Sequence, residues 1–163
     1  MDQKEKEKFI MSITERSSSS SSSRRRKSCV YYLSSEDCKE IHISNTGWDF
    51  TVDINPPISL SRDKAKFALI TFNAQGVRNN QIGKGLYVYS DVVSDNGSYV
   101  RGEHKPLLRI AQKANMDFDC NPFYIEASRE HIDRIRVYIR TSEGKVPSMK
   151  PSFVLCTLRL IYN

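Results

Sequence analysis

The side chains of this chain with reactive potential are three histidines, four cysteines and scattered carboxylates, and their spacing decides what they can do. His131 stands in REHIDR beside Glu130 and Asp133, a grouping that could shuttle protons. It sits just before a strand pattern, so a solvated turn is the better reading. His42 and His104 lie in polar stretches outside any HExxH setting, and neither a GxSxG elbow nor a glycine-rich phosphate loop occurs. Cys29, Cys38, Cys120 and Cys156 form no CxxC pair, which argues against a zinc site. Asp117 and Asp119 in MDFDC begin like a calcium loop, but the oxygen ligands do not continue beyond Asp119. Asp91 and Asp95 fit turn chemistry. These patterns predict a protein that is not an enzyme and holds no metal and no cofactor.

Two groups of residues are suited to recognition instead. In RIRVYIR, Ile135, Val137 and Ile139 share one face of an extended chain, while Arg134, Arg136, Tyr138 and Arg140 share the other. Arginine and tyrosine combine apolar area with directional hydrogen bonds, so this second face is a candidate subunit interface. A solvated outer face is the plain alternative, and Tyr138 with Tyr87 and Tyr89 of LYVYS offers a third, a platform for stacking bases. The second group is Arg24, Arg25, Arg26 and Lys27, which can neutralise phosphates or an acidic partner without selecting a sequence. The same run also suits a nuclear localisation patch or a purely solvated segment.

The charge is distributed accordingly. Residues 1–28 carry eight Lys/Arg against four Asp/Glu, a net of +4 out of the whole chain's +6, so the body that follows is nearly balanced. The front ends in RSSSSSSSRRRKS, whose serines and like charges leave little to bury, and residues 1–28 are expected to be a disordered arm. MDQKEKEKFIMSI within it is long enough only for a transient helix. The opening residues have no long apolar core, so a secretory signal is not expected, and the cysteines are expected as thiols in a reducing compartment. No run of about 18 apolar residues occurs, so no helical membrane span is expected.

Residues 29–163 have the punctuation of a single β domain. CVYYL, WDFTVDI, KFALITF, GLYVYSDVV, PLLRIA, PFYIEA, RIRVYIR and SFVLCTLRLIY make about eight strand-length runs, separated by Asn55-Pro56-Pro57, Asp95-Asn96-Gly97, Ser142-Glu143-Gly144 and other turn signals. WDFTVDI puts Trp48, Phe50, Val52 and Ile54 on one face and is expected to stop at Asn55. In the last run Val154, Cys156, Leu158, Leu160 and Tyr162 form the more apolar parity, with Cys156 a small core residue. The one helix candidate is a single turn over Arg129–Arg134 capped by Ser128. Without helices to cross a parallel sheet, an all-β antiparallel two-sheet architecture, a sandwich or jelly roll, is expected.

Three of these stretches together resemble a known family. NTGWDFTVDINPPISLSRDKAKFALITF (Asn45–Phe72), the LYVYSDVV…PLLRIA section (Leu86–Ala111) and FYIEASREHIDRIRVYIRTSEGKVPSMKPSFVLCTLRL (Phe123–Leu160) resemble, in matching order, the minor capsid or penton protein of Polinton/Maverick elements and related adintoviruses. The motifs are strand patterns, so their order and spacing carry the likeness, and the serine/arginine arm has no part in it. The resemblance implies a jelly-roll homopentamer at the vertices of an icosahedral capsid around double-stranded DNA. It implies copies of itself and the larger major capsid protein as partners, genomic DNA as a further partner through the arm, and no membrane. It places the protein in the virion capsid, with assembly in the host nucleus, and brings no catalytic residues. The competing expectation is a nucleic-acid-binding β-domain with an arginine-rich tail, whose body would bind without residues 1–28 and with steep salt dependence.

Overall fold

The computed structural model describes residues 27–36, 42–60, 65–95, 99–100, 103–104 and 106–162, with residues 99–100 and 103–104 followed only along the backbone. Arg24, Arg25 and Arg26, Cys38, and Asn96 and Gly97 of the expected turn lie outside the described residues. Among the described residues, every regular element of three or more residues is a strand, apart from one turn of 3-10 helix at Asn79–Gln81.

The strands are β1 (Lys27–Ser34), β2 (Asp49–Ser59), β3 (Lys66–Gln75), β4 (Leu86–Ser90), β5 (Tyr99–Val100), β6 (Glu103–His104), β7 (Leu107–Ala111), β8 (Asn115–Asp117), β9 (Ile125–Glu126), β10 (His131–Thr141) and β11 (Phe153–Tyr162). One sheet runs β1-β11-β3-β8, with β9 pairing farther along β3, and the other runs β2-β10-β4-β7. Every pairing is antiparallel. β8 and β9 are two pieces of one interrupted edge: β8 meets Thr71–Asn73 and β9 meets Lys66 and Phe67.

The order has a simple generator. Starting from the β5–β6 hairpin, the chain pairs β4 with β7, β3 with β8 and β9, β2 with β10, and β1 with β11, and successive pairs fall in alternate sheets. That is a long hairpin rolled on itself, the jelly-roll arrangement.

Period-two patterning closes the roll. Phe50 of β2, Leu86 and Val88 of β4, and Ile135, Val137 and Ile139 of β10 meet Leu33 of β1, Phe67, Leu69 and Phe72 of β3, and Val154, Cys156, Leu158 and Leu160 of β11 in one buried cluster. The expected parity of β11 holds. Burial pushes the Cys156 thiol up to about 12, so it stays protonated as a small apolar filler. At the Ser142-Glu143-Gly144 turn, Gly144 takes φ +73°, a left-handed conformation open to glycine, and its N–H donates to the Thr141 carbonyl at 2.9 Å.

Three expectations change. Asn55-Pro56-Pro57 does not end its strand: β2 runs on to Ser59, but the ladder to β10 skips from Asp53 to Ile58. Proline is tolerated there because β2 is outermost in its sheet, where one side of the backbone has no ladder to complete. Arg129–Arg134 is not a helical turn. Ser128 donates its hydroxyl to the Asp91 carbonyl at 2.7 Å, and β10 begins at His131. Finally, β1 begins at Lys27, so the first strand starts two residues before the compositional boundary at Cys29.

Candidate functional site

The outer face of β10 is the candidate site, and register builds it. In the ladders of β10, Tyr138 stands opposite Asp49 of β2 on one side and opposite Tyr89 of β4 on the other. Residues opposite one another share a face, and side chains two positions along lie within diagonal reach. Arg136 and Arg140 flank Tyr138 along the strand, so both guanidinium groups can turn toward Asp49.

They do. Arg136 grips the carboxylate with both arms, Nε to Oδ1 at 2.8 Å and Nη2 to Oδ2 at 2.9 Å. Arg140 adds Nη2 to Oδ2 at 3.0 Å and donates through Nη1 to the Ile139 carbonyl at 2.8 Å. Both guanidinium carbons lie over the Tyr138 ring, 5.5 Å and 5.4 Å from its centre. On the far side Tyr138 stacks on Tyr89, with ring centres 5.1 Å apart and planes 11° apart. The result is a fixed plate of two arginines, one carboxylate and two rings.

Burial alone would raise the Asp49 pKa, but the hydrogen bonds from Arg136 and Arg140 outweigh it and hold the carboxyl below its ordinary value. The same bond to Asp49 raises Arg136. Burial and the neighbouring Tyr138 push the Tyr89 hydroxyl up to about 12. The cluster is therefore ionised in a single pattern near neutral pH: two cations, one anion, two neutral phenols.

Backbone supports lock the strand beneath the plate. The Arg136 N–H donates to Asp91 Oδ1 at 2.9 Å, and the Arg136 carbonyl accepts from the Ser90 hydroxyl at 2.8 Å. Arg129 holds the other oxygen of Asp91 at 2.8 Å. Asp91 does sit in a turn, and its carboxylate also serves as the peg for β10.

Not all of the expected residues join. Arg134 stays apart, with more than half of its side chain exposed, and reaches only Asp133 at 3.6 Å. The register break falls between Ile132 and Arg134 and leaves Asp133 and Arg134 both outward. From Arg134 opposite Asp53 to Tyr138 opposite Asp49 the ladder is unbroken, so Arg134 shares the face of Arg136 and Tyr138 but stands outside the ion cluster. Lys27 is exposed at the start of β1. Of the residues of the base-stacking reading, Tyr89 is completely buried, while Tyr87 and Tyr138 are half-buried and Tyr138 stacks on Tyr89 beneath the two arginines.

Beside the plate lies a shallow groove of about 570 Å³, lined by Ser44, Asn45, Thr46, Asp49, Arg136 and Arg140 among others. Its walls carry hydroxyls, an amide, the ion cluster and the apolar side chain of Val146. Among the described residues no group of three or more His, Cys, Asp or Glu side chains is placed to hold a metal ion. Asp49 was missed from sequence because its role depends on which strands pair, although it does alternate outward from Trp48 and Phe50; Tyr89 was singled out only as part of a stacking platform with Tyr138. Compared with known proteins, the sequence matches no family model and no curated protein.

Proposed function

We propose that the chain is a structural shell subunit: the penton, or vertex, protein of an icosahedral double-stranded DNA virus or virus-like element, assembling as a homopentamer and contacting a larger major capsid protein. The observation that carries the reading is the rolled hairpin with the Arg136–Tyr138–Arg140 plate held rigid on its outer side. Jelly rolls host many functions, so architecture alone gives only the frame. The plate adds arginine and tyrosine already ordered before any partner arrives, which lowers the entropic cost of making an interface. A five-fold ring repeats one heterologous contact, so the plate would meet a different surface of the next copy rather than itself.

In this reading the arginines of residues 24–26 and Lys27 face the packaged genome, and the protein works in the capsid after assembly in the host nucleus. The resemblance described above supports this placement. The nucleic-acid-binding alternative would have to engage arginines already paired with Asp49.

The test is assembly of the full chain with Arg134→Glu, a residue outside the internal ion cluster. Its contact with Asp133 is a surface pair worth little, so folding stability should stay within about 0.5 kcal/mol. Oligomer formation, followed by sedimentation velocity, should weaken. Unchanged assembly would remove this face from the interface. Reversing the charge of Arg24, Arg25 and Arg26 should abolish binding to duplex DNA and leave oligomers intact; persistent, salt-steep binding would favour the alternative.

A further inference from the structure

Among the described residues, the outermost strand β1 lacks the usual protections of an exposed edge. Edges are normally blunted by charge, proline, a bulge or a covering loop. After Lys27, β1 reads SCVYYLS, with no charge and no proline. Its ladder to β11 runs from Lys27 opposite Tyr162 to Ser34 opposite Leu155 without a register shift. Among the described residues β1 pairs with no strand on its other side. Val30 and Tyr32 project outward, 40% and 64% exposed, so the edge is apolar as well as open.

The outermost strand of the other sheet is treated differently. Asn45 closes a two-bond ring on Thr51 of β2: its Nδ2 donates to the Thr51 carbonyl at 3.0 Å, and its Oδ1 accepts the Thr51 N–H at 2.9 Å. The side chain thus takes the place a neighbouring strand would occupy. His42 reaches Asp53 at 3.2 Å, and Pro56-Pro57 removes further donors.

The chain upstream of β1 offers a strand of its own. The one apolar stretch in residues 1–26 is KFIMSIT, Lys8–Thr14, which places Phe9, Met11 and Ile13 on one parity. The connection from Ile13 to Lys27 is the 13 residues Thr14–Arg26, rich in serine and arginine. Hairpin loops are about two to five residues long, so this connector is too long for a tight return onto its own β1. Extended, it spans about 45 Å, enough to reach an adjoining molecule.

We propose that the free edge of β1 accepts residues 8–14 of a second copy of this chain as an added strand, with Phe9, Met11 and Ile13 packing beside Val30 and Tyr32. Main-chain hydrogen bonds supply the affinity, and the alternating side chains set the register. The serine and arginine connector then bridges the two copies. This proposal rests on the reading that copies of the chain associate.

The test uses the full chain with Tyr32 replaced by the photo-reactive analogue p-benzoylphenylalanine, mixed after refolding with isotopically heavy chains that keep Tyr32. Irradiation should link the analogue to a heavy peptide containing residues 8–14. Linkage only to the light chain's own residues 8–14, or to other sites, would overturn the exchange between copies. Native mass spectrometry of the same mixture separates the two levels. Oligomers without the heavy cross-link would sink this proposal and spare the assembly reading, whereas monomers alone would sink both. As an independent check, Met11→Pro in the full chain should make the β1 amides that do not bond to β11 exchange about tenfold faster or more. Unchanged exchange would contradict the added strand.

Discussion

β1 and β2 occupy equivalent places, each outermost in its sheet and each paired on one side to a long strand from the end of the chain. Their chemistry is opposite. β2 has its backbone occupied by Asn45, its ladder broken near Pro56-Pro57, and Asp49 locked between two arginines. β1 has an unbroken ladder and projects Val30 and Tyr32 into solvent. The contrast teaches that one edge is closed by the chain's own side chains, while the other, among the described residues, is open, and the proposed added strand would use that difference.

The contrast can be broken in graded ways. Both edges depend on the shared core, so Phe50→Ala should cost the most, about 3–5 kcal/mol by urea denaturation, because the side chain is fully buried and leaves a cavity. A value below about 1 kcal/mol would mean that the sheets do not pack as described.

Asp49→Ala comes next. It strands two arginines that now share one carboxylate; because the site is partly exposed, the loss should be about 1–3 kcal/mol, with Arg140 contributing more than the half-exposed Arg136. A double-mutant cycle of Asp49 with Arg140 measures the coupling directly. The pH dependence follows from the sign of the shift. The carboxyl is held below its ordinary 3.8, so its contribution is full above the unfolded-state value and disappears as pH falls through the lower folded value. Stability curves of the parent and Asp49→Asn should therefore converge as the medium is acidified below about pH 4.

Asn45→Ala sharpens the comparison. It exposes the N–H and carbonyl of Thr51, should cost about 1–2 kcal/mol, and should make β2 as open as β1. Concentration-dependent association by light scattering should rise. The smallest effect on folding is expected for Tyr32→Lys, within about 0.5 kcal/mol, yet it should lower association by charging the open edge.

How much of this was legible in the sequence depended on the range of the physics. RIRVYIR and SFVLCTLRLIY showed their buried parities because period-two alternation is local, and Ile135, Val137, Ile139, Val154 and Cys156 are buried accordingly. Gly144 marked its turn for the same reason. The proline rule misjudged β2, since tolerance of Pro56 depends on lying at an edge, which no local pattern reveals. β8 escaped notice because it is too short to alternate, whereas β9 lies within the expected PFYIEA run. The plate was half visible: Arg136, Tyr138 and Arg140 stood in a row, but Asp49 and Tyr89 enter from strands 89 and 49 residues before Tyr138 by the ladder register. Arg134 shares the face of Arg136 and Tyr138 as the alternation indicated, and that it reaches Asp133 rather than Asp49 depends on pairing that no local pattern reveals.

The most direct test of the central claim is native mass spectrometry of the full chain at neutral pH and moderate salt. A closed ring of five 18.7 kDa chains should appear near 94 kDa. A single species at 18.7 kDa across the whole concentration range would contradict the assignment of this protein as a self-assembling shell subunit.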